Sequence, residues 1–164
     1  MIKTTWTVGF ALALSACATD GVDEDAGHEE EHDPAEEACE HMEEGPSAAH
    51  TATLVAPYPD VSAEHTRHDV TLVDDGGQNG GAVVVEIEEA GDYIVFLDKD
   101  MPVAFLDASG NALTIEHDEP VDLCDAVARQ KHVEFAVGSV EIRFGPTTET
   151  NVRLVVEEGG EGDH

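Results

Sequence analysis

Positive charge is what this chain has least of. Seven Lys and Arg stand against 37 Asp and Glu, a formal net charge of −30. Nucleic-acid binders need basic surface to neutralise phosphate, so this balance argues against that class of partner. Attraction to anionic lipid headgroups is disfavoured for the same reason. A field of this sign draws cations and basic partners, and it also keeps a domain soluble. Long apolar runs are missing: the stretch Trp6 to Leu14 is too short to span a bilayer. No Gly-x-Ser-x-Gly elbow occurs. The glycine-rich run Gly76 to Gly81 follows Asp74-Asp75 and leads into a strand pattern, whereas a phosphate loop needs a helix N-terminus there. Cysteine is sparse, with three in the chain.

What is present begins with an address. Lys3 supplies a basic start, Trp6 to Leu14 an apolar core, and Ser15 and Ala16 small residues at the exit, the layout of a secretory signal over residues 1–16. Leu14-Ser15-Ala16-Cys17 resembles a bacterial lipobox, the pattern Leu-small-small-Cys. The resemblance implies cleavage before Cys17, lipidation of its sulfur and of the new amino group, and attachment to a lipid bilayer through the acyl groups of Cys17. Ala18 follows the cysteine, where retention of enteric lipoproteins at the inner membrane goes with aspartate. By that likeness the expected location is the cell envelope, with the outer membrane favoured and the domain facing the periplasm or the outside. Loss of Lys3 leaves the mature chain still more acidic, so lipid rather than charge would hold it to the membrane.

After Cys17, residues 18–33 form an acidic tether with almost nothing apolar. Such a segment buries too little surface to offset its ordering entropy and is expected to be an extended, self-repelling spacer. A short helix should follow. Asp33 is a good N-cap, Pro34 suits the first helical position, and Gly45-Pro46 is a stop signal. Ala35, Ala38, Cys39 and Met42 fall on one narrow apolar stripe, with Glu37, Glu40, His41 and Glu44 off it, so Cys39 should face the domain.

From Thr51 onward the pattern is β. Candidate strands are 51–56, 69–74, 82–88, 92–98, 102–107, 111–117, 131–136, 139–144 and 151–157, punctuated by Gly, Asn and Asp turns. This spacing predicts a mainly β fold, a single antiparallel β-sandwich over residues 34–158 with residues 159–164 as a disordered tail. Pro120 to Arg129 reads as a short inserted helix with Val121, Cys124, Val127 and Ala128 on one face. In an oxidising compartment the two cysteines other than Cys17, Cys39 and Cys124, are then expected to form a disulfide pinning the N-terminal helix to the sandwich. Closing so long a loop is worth about 4–5 kcal/mol in the entropic model.

Several motifs touch metal chemistry. His28-Glu29-Glu30-Glu31-His32 has the letters of H-E-x-x-H, but it lies in the tether and has no apolar face, so it reads as weak exposed chelation. Cys39 and His41 are two apart, about 200° on a helix, and cannot share one ligand there. His65 and His68 are the better candidates for a divalent metal. In a helical turn capped by Ser62 they would share a face; in a strand they would part, leaving His68 aligned with Val70 and Leu72 as a core histidine, and that structural alternative is preferred. His117 and His132 flank the inserted segment and can converge with Cys124, though their spacing does not require it. Asp98-Lys99-Asp100 and Asp107 to Asn111 are oxygen-rich, yet neither matches a full calcium loop, and hairpin turns explain them.

Gly91-Asp92-Tyr93-Ile94-Val95-Phe96, Asp107-Ala108-Ser109-Gly110-Asn111 and Val137-Gly138-Ser139-Val140-Glu141-Ile142 together resemble bacterial pre-peptidase C-terminal domains, secreted sandwiches with a Gly-x-Tyr strand, an Asp-x-x-Gly turn and a Gly-x-Tyr-x-Ile strand. The likeness covers residues 80–157, with Val140 in place of the second aromatic and residues 120–129 as an insertion. It implies a jelly-roll-like sandwich in an auxiliary role and carries over no site residues. The leading expectation is therefore a lipid-anchored, non-catalytic binding or structural module without a cofactor, its protein or small-ligand partner unspecified. The alternative is an envelope zinc- or copper-handling protein, motivated by nine His and drawing on His65, His68, Cys39 and Cys124.

Overall fold

A computed structural model describes residues 33–159. The expected signal, Cys17, the tether as far as residue 32 and the tail beyond residue 159 lie outside the described residues.

The chain enters the fold through helix α1, Pro34–Glu44. The Asp33 side chain accepts a hydrogen bond from the Ala35 N–H at 2.9 Å, and Pro34 occupies the first turn, where its missing N–H costs nothing. Gly45 ends the helix by close approach: a Cβ there would lie 2.7 Å from the His41 carbonyl oxygen. Ten strands follow: β1 Ser47–Thr51, β2 Arg67–Thr71, β3 Val73–Asp74, β4 Asn79–Ile87, β5 Gly91–Leu97, β6 Val103–Leu106, β7 His117–Pro120, β8 Arg129–Phe135, β9 Gly138–Thr147 and β10 Asn151–Glu158.

They build a sandwich of two open sheets, a six-stranded one in the order β1-β2-β10-β5-β8-β7 and a four-stranded one in the order β3-β4-β9-β6. Alternation supplies the core between them. Val83, Val85 and Ile87 of β4 and Val140, Ile142 and Phe144 of β9 meet Tyr93, Val95 and Leu97 of β5 and Val152 and Leu154 of β10. β5 is buried at every position from Tyr93 to Leu97 because its other face is covered too. Ile94 and Phe96, with Val155 of β10, form a second cluster against Ala38, Cys39 and Met42 of α1 and Val127. The continuous apolar runs of β5 and β10 are thus the mark of strands covered on both sides. Cys39 and Cys124 join in a disulfide at the edge of this second layer, Cα atoms 6.1 Å apart.

Four expectations change. Residues 120–129 are not a helix. Pro120 and Arg129 are register partners at the end of the β7–β8 ladder, about 5 Å apart, whereas a helix across these residues would part its ends by about 14 Å. The segment is a loop whose Val121, Cys124 and Val127 still face α1, which is the burial their spacing encoded. The sandwich is also not wholly antiparallel. β1 lies parallel to β2 because residues 52–66 leave the first sheet, bridge β4 through Thr53 and Asp60, and return before β2 begins. Residues 111–116 form no ladder beyond the bridge of Ala112 to Leu106, and the chain re-enters a sheet only at His117. The segment 69–74 divides between β2 and β3, crossing from one sheet to the other at Leu72.

Candidate functional site

The crossing segment that returns to β2 forms the outer wall of a cleft of about 390 Å³. Its other walls are the C-terminal halves of β4 and β10, Tyr93 at the start of β5, and Glu37 of α1. Val61, Val85, Ile87 and Val156 make the apolar part; Glu64, Glu86, Glu88, Glu157 and Glu158 add carboxylates, and no Lys or Arg among the described residues lines it. Tyr93 stands between the two kinds of surface. Its hydroxyl donates to the Glu89 carbonyl at 2.9 Å and lies 3.2 Å from the Glu158 carboxylate. Burial, then the charge of Glu158 and its neighbours, pushes the phenol up to about 12.

Where α1 passes beside this cleft, four side chains from three segments converge. Glu37 and His41 are one turn apart on the helix, off its apolar stripe. Glu157 comes from β10, on the outer face that also carries Val155. His65 is supplied by the crossing segment and has a φ of 50°, the left-handed region that few non-glycine residues adopt. Glu37 Oε1 lies 3.5 Å from His41 Nε2 and 3.1 Å from His65 Nδ1. The two imidazoles are 3.2 Å apart at His41 Nε2 and His65 Nδ1. Glu157 Oε1 is 3.8 Å from His41 Nε2, and Glu157 Oε2 is 4.0 Å from His65 Nδ1. Only 8% of the Glu157 side chain is exposed, and its Oε1 accepts no hydrogen bond from any described residue. Burial first, and then the negative charge of Glu37 and Glu64, pushes its carboxyl up to about 7. One donor atom from each of the four residues lies within 4.8 Å of all the others, a spacing that can surround a single ion.

His65 and His68 therefore do not act as a pair. His68 lies in β2 opposite Leu154, 2% exposed, in the core position that its alignment with Val70 predicts. Its Nε2 lies 3.3 Å from the Ala63 carbonyl, an acceptor only, so the proton sits on Nε2. Nδ1 then accepts from His50 Nε2 at 3.1 Å. Burial, the largest cause, holds His68 below the ordinary imidazole pKa, which favours the neutral ring. Cys39 and His41 do point apart, one into the disulfide and the other into the cluster. His117 and His132 meet as a cross-strand pair with ring centroids 5.6 Å apart, while Cys124 is taken by Cys39. Asp107 closes its own turn by accepting from the N–H groups of Ser109 and Asn111, each at 2.8 Å. Asp98 accepts from Arg153. The motif His28 to His32 lies outside the described residues.

Sequence reasoning placed Glu37 and His41 on the helix but did not join them to His65 or Glu157. A usable signal was Glu157 itself, a carboxylate two residues past Val155 on a face that the amphipathic helix has to cover. No protein-family model matches the chain, and no curated protein matches it.

Proposed function

We propose that this is a lipid-anchored protein of the cell envelope whose sandwich is a non-catalytic module binding a cationic ligand with an apolar body. The cleft carries this reading: apolar side chains at its base, carboxylates around them and no cation among its described lining. Such a surface favours positive charge electrostatically and an aliphatic or aromatic body by burial. Ser62, the serine that lines the cleft, is already engaged, bonded to Asp60 and accepting from the Glu86 N–H at 2.7 Å. Attachment follows the lipobox likeness at Cys17, and the outer membrane is the favoured site.

An alkylamine and the carboxylic acid of equal chain length separate charge from apolarity. The amine is expected to raise the thermal unfolding temperature and the acid is not; Glu64→Gln and Glu88→Gln should weaken the amine's effect. Equal responses to amine and acid, or none to either, would refute the cleft as a cation site. For the anchor, labelled palmitate should enter the wild-type chain and not Cys17→Ser.

A further inference from the structure

We propose that Glu37, His41, His65 and Glu157 form a binding site for one zinc-class divalent cation, lying at the edge of the cleft and clamping α1 to β10 and to the crossing segment. The proposal goes beyond the amine-binding reading, which depends on Glu64 and Glu88, and needs neither of those residues.

Three independent features carry it. The first is spacing. Zinc bonds of about 2.0–2.1 Å in a tetrahedron put neighbouring donors about 3.3–3.4 Å apart. The Glu37, His41 and His65 donors already stand 3.1, 3.2 and 3.5 Å from one another. Glu157 approaches His41 through Oε1 at 3.8 Å and His65 through Oε2 at 4.0 Å, one of its oxygens standing within 4.8 Å of the other three donors, so an inward movement of its carboxylate completes the figure. The second is an orphaned charge. A carboxylate oxygen as buried as Glu157 Oε1 is normally hydrogen-bonded, paired or bound to metal, and this one accepts nothing from the described residues while facing the two imidazoles. A cation between the four donors meets that need, and two carboxylates balance a charge of two. The third is donor chemistry. Two imidazoles beside two carboxylates suit zinc and its late first-row neighbours, whereas calcium and magnesium prefer all-oxygen sites. Cys39 and Cys124, consumed by their disulfide, supply no thiolate, which disfavours a copper(I) site.

Access and selectivity follow from burial. His65 is 60% exposed and can admit the ion, whereas Glu157 forms the inner wall. His65 also holds a left-handed backbone, the conformation in which its ring reaches the cluster.

The test uses the full chain stripped with a chelator and titrated with Zn²⁺ against a chromophoric competitor, then with Co²⁺ followed by visible absorption. One tight ion per chain and the intense bands of four-coordinate Co²⁺ are expected. Loss of a ligand should exceed the 10–100-fold that outer-shell partners cost, so His65→Ala should weaken Zn²⁺ binding by more than about a hundredfold. Its exposed position should leave the metal-free fold unchanged, and Glu157→Gln, isosteric and uncharged, provides a second variant. His28→Ala with His32→Ala should retain the tight site, and Glu88→Gln should affect the amine but not zinc. The proposal is overturned if no stoichiometric site is found, if it survives both His65→Ala and Glu157→Gln, or if it disappears with His28 and His32.

Discussion

Glu157→Gln should make the metal-free protein more stable, and by an amount that depends on pH. The carboxyl rises from 4.5 to about 7 on folding, chiefly because its side chain loses water. A raised carboxyl pKa means that the folded state holds the proton more tightly than the unfolded chain. Below pH 4.5 both states are protonated and there is no penalty. Between 4.5 and about 7 the unfolded chain gives up its proton while the folded protein keeps it, so stability falls as pH rises. Above about 7 both are ionised and the full penalty stands. Each pH unit of separation is worth about 1.4 kcal/mol, which puts that penalty at roughly 3 kcal/mol. Glutamine keeps the shape and removes the charge. The measurement is urea unfolding of wild type and variant from pH 4 to 8 with chelator present, taking the difference between their stabilities to cancel the common background of acidic residues. That difference should be near zero at the acid end and grow to roughly 3 kcal/mol in favour of the variant. Parallel curves, or a variant less stable above pH 7, would refute the account of Glu157 as an unpaired buried charge. With zinc present the order should reverse, because the ion binds the folded wild type and stabilises it by mass action.

Two further outcomes follow from the same layer and its neighbour. Reducing Cys39–Cys124, which closes a loop with a sequence separation of 85, should lower stability by about 4–5 kcal/mol in the entropic model, read as the shift in denaturant midpoint with and without reductant; identical midpoints would refute it. His68 should hold its proton on Nε2 and resist a second one as pH falls, so ring-nitrogen NMR at pH 6.5 should show a ring less than half protonated. Since its folded pKa is lowered, the stability it favours is present above the unfolded value and is lost as pH falls below it. A His68 resonance half-protonated at pH 6.5 or higher would contradict this burial.

The elements legible in the sequence are those whose burial is local. The Asp33 cap, Pro34, the stripe Ala38, Cys39, Met42 and the Gly45 stop delimit α1 within one residue of its ends. Val83, Val85 and Ile87 announce the inward face of β4 by strict alternation. β1 was not legible: Ser47-Ala48-Ala49-His50-Thr51 has no apolar alternation, and its parallel pairing depends on where the crossing segment returns. The loop 121–128 misled because apolar spacing reports which residues are buried, and a loop tied at Val121 and Ala128 buries the same side chains as a helix would. The cluster was hidden for a different reason. Its members come from α1, the crossing segment and the last strand, and only the fold brings Glu157 beneath Glu37 and His41.

With a cation bound, that arrangement would give α1 two attachments rather than one. An isolated helix of eleven residues is marginal in water, and its buried stripe here is only Ala38, Cys39 and Met42. Those three side chains oppose the ordering entropy of the whole segment, which at about 1–2 kcal/mol per residue is larger than so narrow a face can offset by burial. Yet without α1 the outer sides of Ile94, Phe96 and Val155 would meet water. The disulfide fixes Cys39 to the loop between β7 and β8, and the Glu37–His41 edge of the helix faces β10 and the crossing segment. A cation held there would act on the side of the helix that the disulfide does not reach. The two clamps would then be partly redundant: reduction should cost more in the metal-free protein than in the zinc-loaded one, and a double-mutant cycle between Cys124→Ala and His65→Ala, run with and without zinc, should show coupling only when the ion is present.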